Sequence, residues 1–194
     1  MKRALVVVDV QESFRQRPNW AAVSNPAIAE QVGKLAETFR SNGEMIIWVL
    51  HVEPGTGNVF DPASGYVRLI EGLAAAAGEP VITKTSFDAF NTTNLQQLLI
   101  GAGINEVVVC GIRTEQCAET TARCAAGFGY EVTYVIDATA THPIEHRDAP
   151  PGRPLAEILA DPRTLQVQDI ITRTEYALAG RFATIRTVAE LTGA

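Results

Sequence analysis

Five short apolar runs recur along the chain, and they constrain its fold more than any other feature. Each is rich in Val and Ile and mostly lacks polar alternation, which is typical of parallel strands that helices cover on both faces. The runs are "RALVVVD" (3–9), "EMIIWVLH" (44–51), "PVIT" (80–83), "EVVVCG" (106–111) and "EVTYVID" (131–137).

Helical patterns separate these runs, at residues 25–43, 92–103 and 114–129. A further helix around residues 163–180 precedes a short sixth strand within "RFATIR" (181–186). Strands that alternate with helices are joined by right-handed crossovers. The sequence therefore predicts an α/β fold of three layers, doubly wound around a mostly parallel sheet of about six strands.

The composition excludes several classes of function. The chain has 194 residues and no linker or repeat divides it, so we expect a single domain over residues 1–194. A net charge of −6 without any Lys/Arg block argues against a nucleic-acid partner. The start "MKRALVVVD" has too few apolar residues for a signal peptide, and no run has the length of a membrane span. Three cysteines give no disulfide framework, so we expect a reducing, cytoplasmic location.

Chemistry-bearing residues follow the apolar runs directly. In an open α/β sheet, ligands bind beyond the carboxyl ends of the strands, where the strand order reverses. The residues at those ends are Asp9, His51, Lys84, the 111–117 turn and Asp137. A carboxylate, an ammonium and a thiol among them, at Asp9, Lys84 and Cys117, make a chemically sensible set.

Cys117 has the position of a reactive thiol. If Thr114 is the N-cap of the following helix, Cys117 is the third helical residue, where the helix dipole favours a thiolate. The alternative is a small buried apolar side chain, the commoner role of a free cysteine. Cys124 lies seven residues further on, about 10.5 Å along a helix, which is too far for a disulfide. We expect Cys124 and Cys110 to belong to the core.

Asp9 ends a buried run and needs a cation or a proton there, since an unpaired buried ion costs several kcal/mol. Lys84 is the obvious cation. Two interpretations stay open. Asp9 and Lys84 form a structural ion pair, or Asp9 is a general base for the thiol and Lys84 holds it in place.

The segments "ALVVVDVQESF", "KTSFDAF" and "GIRTEQC" resemble those of the isochorismatase-like, or cysteine hydrolase, superfamily, which includes nicotinamidases and N-carbamoylsarcosine amidohydrolases. The resemblance extends from residue 3 to about residue 137. It implies a doubly wound fold and a catalytic triad of Asp9, Lys84 and Cys117. It also implies a cis peptide at Ile112–Arg113 that aims the amides of Arg113 and Cys117 into an oxyanion hole. A homo-oligomer, a dimer or larger, is a further expectation from the family.

The chain departs from the family in one respect. Nicotinamidases of the family carry an Asp-x-His metal set after the second strand, whereas this chain has His51 and Glu53 in "LHVEPGTGN". We therefore expect no zinc and no other cofactor, and we interpret His51 as a strand-end residue with its hydrogen bonds satisfied. Isochorismatases that cleave a vinyl ether lack the cysteine, so Cys117 favours a different reaction.

The predicted function is hydrolysis of a small amide or ureido substrate through a thioester. Candidates for the substrate pocket are Gln11, Phe14, Phe60, Phe87 and Ile112, although we expect Phe87 and Phe90 to belong to the core rather than to the pocket wall. Phe60 and Tyr66 belong to the loop 52–66, which together with residues 138–154 would select the substrate. Three alternatives remain: an ether-cleaving enzyme that uses Asp9 without the thiol, a redox-sensing cysteine protein, and a binding protein without catalysis.

Overall fold

A parallel sheet of six strands forms the centre of the molecule. The computed structural model describes residues 2–193. The strand order is β3-β2-β1-β4-β5-β6, and all five pairings are parallel. The strands are β1 (Arg3–Val8), β2 (Met45–His51), β3 (Val81–Lys84), β4 (Glu106–Ile112), β5 (Glu131–Ala140) and β6 (Thr184–Arg186). The predicted sheet, with its sixth short strand, is confirmed.

Helices cover both faces of this sheet. They are α1 (Glu12–Arg15), α2 (Ile28–Ser41), α3 (Leu95–Ala102), α4 (Glu119–Gly127), α5 (Leu155–Ala160), α6 (Val167–Leu178) and α7 (Val188–Thr192). Successive side chains of β1 point to opposite faces, so Leu5 and Val7 pack with α2 and α7, while Ala4 and Val6 pack with α3 and α4. These two apolar clusters explain why the strand sequences lack polar alternation. No helix between residues 2 and 193 has the length and apolar character to cross a membrane.

The strand order reverses between β1 and β4. From β1 the chain crosses to β2 and β3 on one side, and then returns to add β4, β5 and β6 on the other. A crevice at the carboxyl ends of β1 and β4 follows from this reversal. The candidate residues that end β1, β3 and β4 therefore come to one edge of the sheet.

Three elements, α5, α6 and β5, differ from the prediction. The helix expected from residue 163 begins at Val167, because Leu165 and Ile144 first exchange two backbone hydrogen bonds of 3.0 and 2.9 Å. This bridge keeps the chain extended up to the start of α6. Helix α5 was not expected, and β5 runs three residues beyond its predicted end at Asp137.

The loop of residues 52–66 holds its shape through its own hydrogen bonds. The Asp61 carboxylate accepts from the backbone amides of Gly57 (2.9 Å) and Ala63 (3.0 Å), and these bonds lower the pKa of Asp61. Asn58 Oδ1 accepts from the amide of Phe60 at 2.7 Å. The loop is thus an ordered element beside the carboxyl ends of the strands.

Candidate active site

Asp9 and Lys84 meet at the carboxyl edge of the sheet. Asp9 follows β1 directly and has a positive φ of 55°, and its amide donates to Val49 O of β2 at 2.9 Å. Lys84 is the last residue of β3, in register with His51 at the end of β2. Lys84 Nζ lies 2.8 Å from Asp9 Oδ2, and neither side chain is exposed to solvent. The predicted ion pair is confirmed.

The electrostatics of this pair are those of a buried carboxylate next to one cation. Burial raises the pKa of Asp9 because it disfavours the charged form, and the nearby Lys84 ammonium opposes that shift. Lys84 Nζ also donates to the carbonyl of Ser86 at 3.0 Å and lies 3.4 Å from His51 Nδ1. The ammonium therefore has one carboxylate and two further acceptor atoms around it.

The Cys117 thiol lies near the same carboxyl group. The Asp9 carboxylate and the Lys84 ammonium are close enough to shift the pKa of Cys117 in opposite directions. Cys117 is 8% exposed, whereas Asp9 and Lys84 are fully buried. The structure thus brings the three predicted residues into one cluster at the edge between β1 and β4.

The turn that carries Cys117 is not the regular helix start that the sequence suggested. Residues Thr114–Ala118 form a π-type turn in which Gln116 has non-helical angles (φ −112°, ψ −105°), and α4 begins only at Glu119. Thr114 does not cap the helix, because its hydroxyl donates to Thr139 Oγ1 at 2.9 Å. The third-helical-residue assignment for Cys117 is therefore wrong.

The predicted preference for a thiolate is also wrong. Burial and the neighbouring Asp9 carboxylate raise the pKa of Cys117 to about 12, and Lys84 only partly opposes them. Both main effects disfavour a negative charge on sulfur. In the resting site the cysteine is a neutral thiol, and a base is needed to ionise it.

The segment before Cys117 is shaped by Gly111 and a cis peptide. The Ile112–Arg113 bond is cis, as the family resemblance implied. Gly111 has a φ of +133°, and a Cβ at this residue would lie 1.9 Å from Val8 O. Only glycine fits there, so β4 can pass directly against the end of β1. The Arg113 carbonyl accepts from the amides of Gln116 (3.1 Å) and Ala118 (3.3 Å), which closes the turn around Cys117.

Two aromatic residues predicted for the pocket pack beside the cluster. Phe14 and Phe60 are buried edge-to-face with ring centroids 5.0 Å apart, and Phe60 also contacts the His51 ring at 5.7 Å. Phe87 is 70% exposed, so its predicted core role is wrong, whereas Phe90 is buried as expected. Phe87 follows the end of β3 in a turn that keeps its ring outside both apolar clusters.

Of the remaining pocket candidates, Gln11 hydrogen-bonds to the backbone of His51 and Ile112 belongs to the core. Gln11 brackets the backbone of His51: its Oε1 accepts from His51 N at 2.7 Å and its Nε2 donates to His51 O at 3.0 Å. Ile112 is buried in the cluster on the α2 side of the sheet. Cys110 is buried, Cys124 is partly buried against the core, and both are free thiols. The placements of the two cysteines agree with their predicted packing roles, whereas the pocket role of Gln11 and Ile112 stays a prediction.

The side-chain contacts of His51 were not predicted from the sequence. Its Nε2 lies 3.2 Å from Glu53 Oε1, and Glu53 Oε2 accepts from Asn58 Nδ2 at 2.5 Å. Both ring nitrogens of His51 thus have partners, as expected for a satisfied strand-end residue. Within residues 2–193, no three His, Cys, Asp or Glu side chains gather in a group that could hold a metal ion. The only sequence signal for this network was the short spacing of His51, Glu53 and Asn58 along the loop.

Known proteins resemble this chain in sequence and in structure. A family model described as the isochorismatase domain matches residues 3–150. An isochorismatase family protein of Bacillus subtilis, YrdC, is 32% identical over 72% of this chain and 74% of that protein. A streptothricin hydrolase of Streptomyces noursei is 33% identical over 73% of this chain and 51% of that protein. The crystal structure of an isochorismatase from Pseudomonas putida KT2440 has a TM-score of 0.83 and 28% identity, covering 97% of this chain and 89% of that one.

Proposed function

The chain belongs to the isochorismatase family, and from this premise we propose that it is a cysteine-dependent hydrolase of a small amide or ureido compound. Cys117 is the nucleophile, Asp9 the general base and acid, and Lys84 the cation that holds both. The reaction passes through a thioester between Cys117 and the acyl group of the substrate.

One observation carries the proposal: a buried carboxylate lies 2.8 Å from a buried ammonium, and both charges act on the thiol of Cys117, a residue that keeps 8% of its surface exposed. A purely structural Asp9–Lys84 pair would gain nothing from a neighbouring thiol. Because burial raises the pKa of Asp9, its basicity comes closer to that of the thiol, and proton transfer between them becomes less uphill.

The proposed reaction proceeds in two halves. Asp9 accepts the proton of Cys117, and Sγ attacks the carbonyl carbon of the substrate. The C–N bond then breaks as Asp9 returns that proton to the leaving nitrogen. In the second half Asp9 takes a proton from water, the resulting hydroxide attacks the thioester carbon, and the sulfur leaves and is reprotonated. The sum is one amide bond and one water converted to an acid and an amine.

The backbone around Cys117 supports the oxyanion. In the proposal, the amides of Arg113 and Cys117 donate to the oxygen that becomes negative in each tetrahedral intermediate. The closed turn on the Arg113 carbonyl holds this backbone in one shape before substrate arrives. Removal of one such donor costs about 10²–10³ in rate in other enzymes.

The thiol environment weighs against a redox-sensing role. Sensor cysteines react as exposed thiolates of low pKa, whereas Cys117 is mostly buried and its pKa is raised to about 12. The environment suits a nucleophile that is ionised only when Asp9 accepts its proton.

The test is mass spectrometry of the intact protein after brief incubation with a panel of small amides and ureides. The expected result is an acyl adduct on the wild-type protein and on Cys124→Ser, the matched control seven residues away, and none on Cys117→Ala. Product formation by Cys117→Ala combined with its loss in Asp9→Asn would instead favour ether-type chemistry without the thiol. Absence of any adduct or turnover across the panel would refute the amide and ureide assignment.

A further inference from the structure

His51 lies beside Lys84 at the carboxyl edge of the sheet, next to the residues of the reaction proposed above. It ends β2 in register with Lys84 of β3, and its Nδ1 is 3.4 Å from Lys84 Nζ. Its side chain is 15% exposed, so the ring is largely shielded from water. The mechanism assigns this ring no role.

The two ring nitrogens have partners of opposite kind. An ammonium has donors only, so the nitrogen that faces Lys84 must present a lone pair. The carboxylate of Glu53 is an acceptor only, so the nitrogen that faces it, Nε2, must carry the proton. The contacts therefore select one tautomer of a neutral imidazole, with the proton on Nε2.

Three further contacts hold the ring in this orientation. Gln11 brackets the backbone of His51 on both its N–H and its C=O, and the Phe60 ring packs edge-on against the imidazole. Asn58 donates to the second oxygen of Glu53, and this bond lowers the pKa of Glu53, which keeps the acceptor charged. Consecutive contacts therefore connect the buried Lys84 through His51 and Glu53 to Asn58 on the loop of residues 52–66.

We propose that His51 is a positioning residue, which accepts a hydrogen bond from Lys84 at Nδ1 while Glu53 fixes the Nε2–H tautomer. This inference rests on the proposed function for its importance to catalysis. The contact at Nδ1 gives the buried ammonium a further acceptor, and without it Lys84 Nζ can turn away from Asp9 and Cys117. Lys84 then ceases to favour the Cys117 thiolate, and the thiol reacts more slowly.

The first test locates the proton directly. Long-range ¹H–¹⁵N correlation spectra of the full-length wild-type protein at neutral pH report which ring nitrogen of each histidine is protonated. The chain has three histidines, so His51→Asn and His146→Asn assign the signals. The proposal expects His51 to be neutral with its proton on Nε2. A proton on Nδ1, or an equal mixture of tautomers, would overturn it.

The second test measures the reactivity of Cys117 with iodoacetamide in a Cys124→Ser background, by peptide mass mapping. His51→Phe keeps the ring but has no acceptor, and we expect its alkylation rate to fall about tenfold or more, the effect of one hydrogen bond to a charged group. His51→Asn places an amide oxygen near the position of Nδ1 and should restore the rate to within about threefold of wild type. His146→Asn, on an exposed loop, is the control.

A wild-type rate in His51→Phe would refute the positioning role, as would equal losses in His51→Phe and His51→Asn. Neither test uses a substrate, so the two proposals fail separately. The expected tautomer and rates without any acyl adduct would leave the His51 inference standing and remove the hydrolase proposal. An acyl adduct on Cys117 together with a proton on Nδ1 of His51 would support the hydrolase proposal and refute the His51 inference.

Discussion

Replacement of Lys84 by methionine removes the charge from the buried pair and keeps most of the side-chain volume. Asp9 would then lie with no exposed surface and no cation, because Lys84 Nζ at 2.8 Å is its charged partner. Removal of one member of a buried ion pair costs about 3–5 kcal/mol in other proteins.

A proton can relieve that cost. An Asp with an ordinary pKa of about 3.9 requires about 4 kcal/mol to remain protonated at pH 7, at 1.36 kcal/mol per pH unit. This matches the cost of leaving the charge unpaired, so the folded Lys84→Met protein should hold Asp9 protonated near neutral pH. The folded-state pKa of Asp9 is then above its unfolded value. The destabilisation is present at neutral pH and disappears as the pH falls towards about 4.

The assay is urea unfolding of Lys84→Met and of the double variant Asp9→Asn/Lys84→Met between about pH 5 and pH 8. The double variant has no carboxyl group to titrate, and Asn tolerates the positive φ at residue 9. Relative to the double variant, the single variant should lose about 1.4 kcal/mol of stability per pH unit as the pH rises. Parallel stability curves would show that Asp9 stays ionised without Lys84, and would refute the view of a buried, interdependent pair.

Two further substitutions test the backbone around the site. Gly111→Ala should destabilise the fold by about 2–6 kcal/mol, because alanine is strained at this φ and its Cβ would clash with Val8 O. The control Gly101→Ala, with open space around it in α3, should be neutral or stabilising by up to about 1 kcal/mol. Thermal unfolding compares the two variants, and similar melting temperatures would contradict the clash. Tyr134→Phe should cost about 1–3 kcal/mol in urea unfolding, because the Tyr134 hydroxyl donates to the buried Thr114 carbonyl at 2.7 Å. An unchanged midpoint would mean that water replaces this bond.

The sheet could be predicted from the sequence because its strands are buried on both faces. Each run of Val and Ile marks one strand, and four of the five intervals between successive strands hold a crossover helix. Segments with long-range pairing were not predictable in this way. The bridge between Ile144 and Leu165 joins residues that no local pattern connects, and it delays the start of α6.

The candidate site was predictable in part for the same reason. Charged residues that end buried runs, such as Asp9 and Lys84, must find partners, and parallel strands bring their ends together. The chemistry of the thiol was not predictable, because a helix-dipole argument considers only local backbone. The pKa of Cys117 depends on burial and on Asp9, more than a hundred residues away along the chain. The contact between His51 and Glu53 likewise depends on the path of a loop.

The internal hydrogen bonds of the loop of residues 52–66 are useful for engineering. Because Asp61 and Asn58 tie its backbone internally, its shape does not depend on a bound molecule. Exposed positions such as Ala63 can therefore be diversified in a library while Asp61 and Asn58 are retained. If the proposed reaction is correct, such variants should differ in the compounds they accept while Asp9, Lys84 and Cys117 keep their positions.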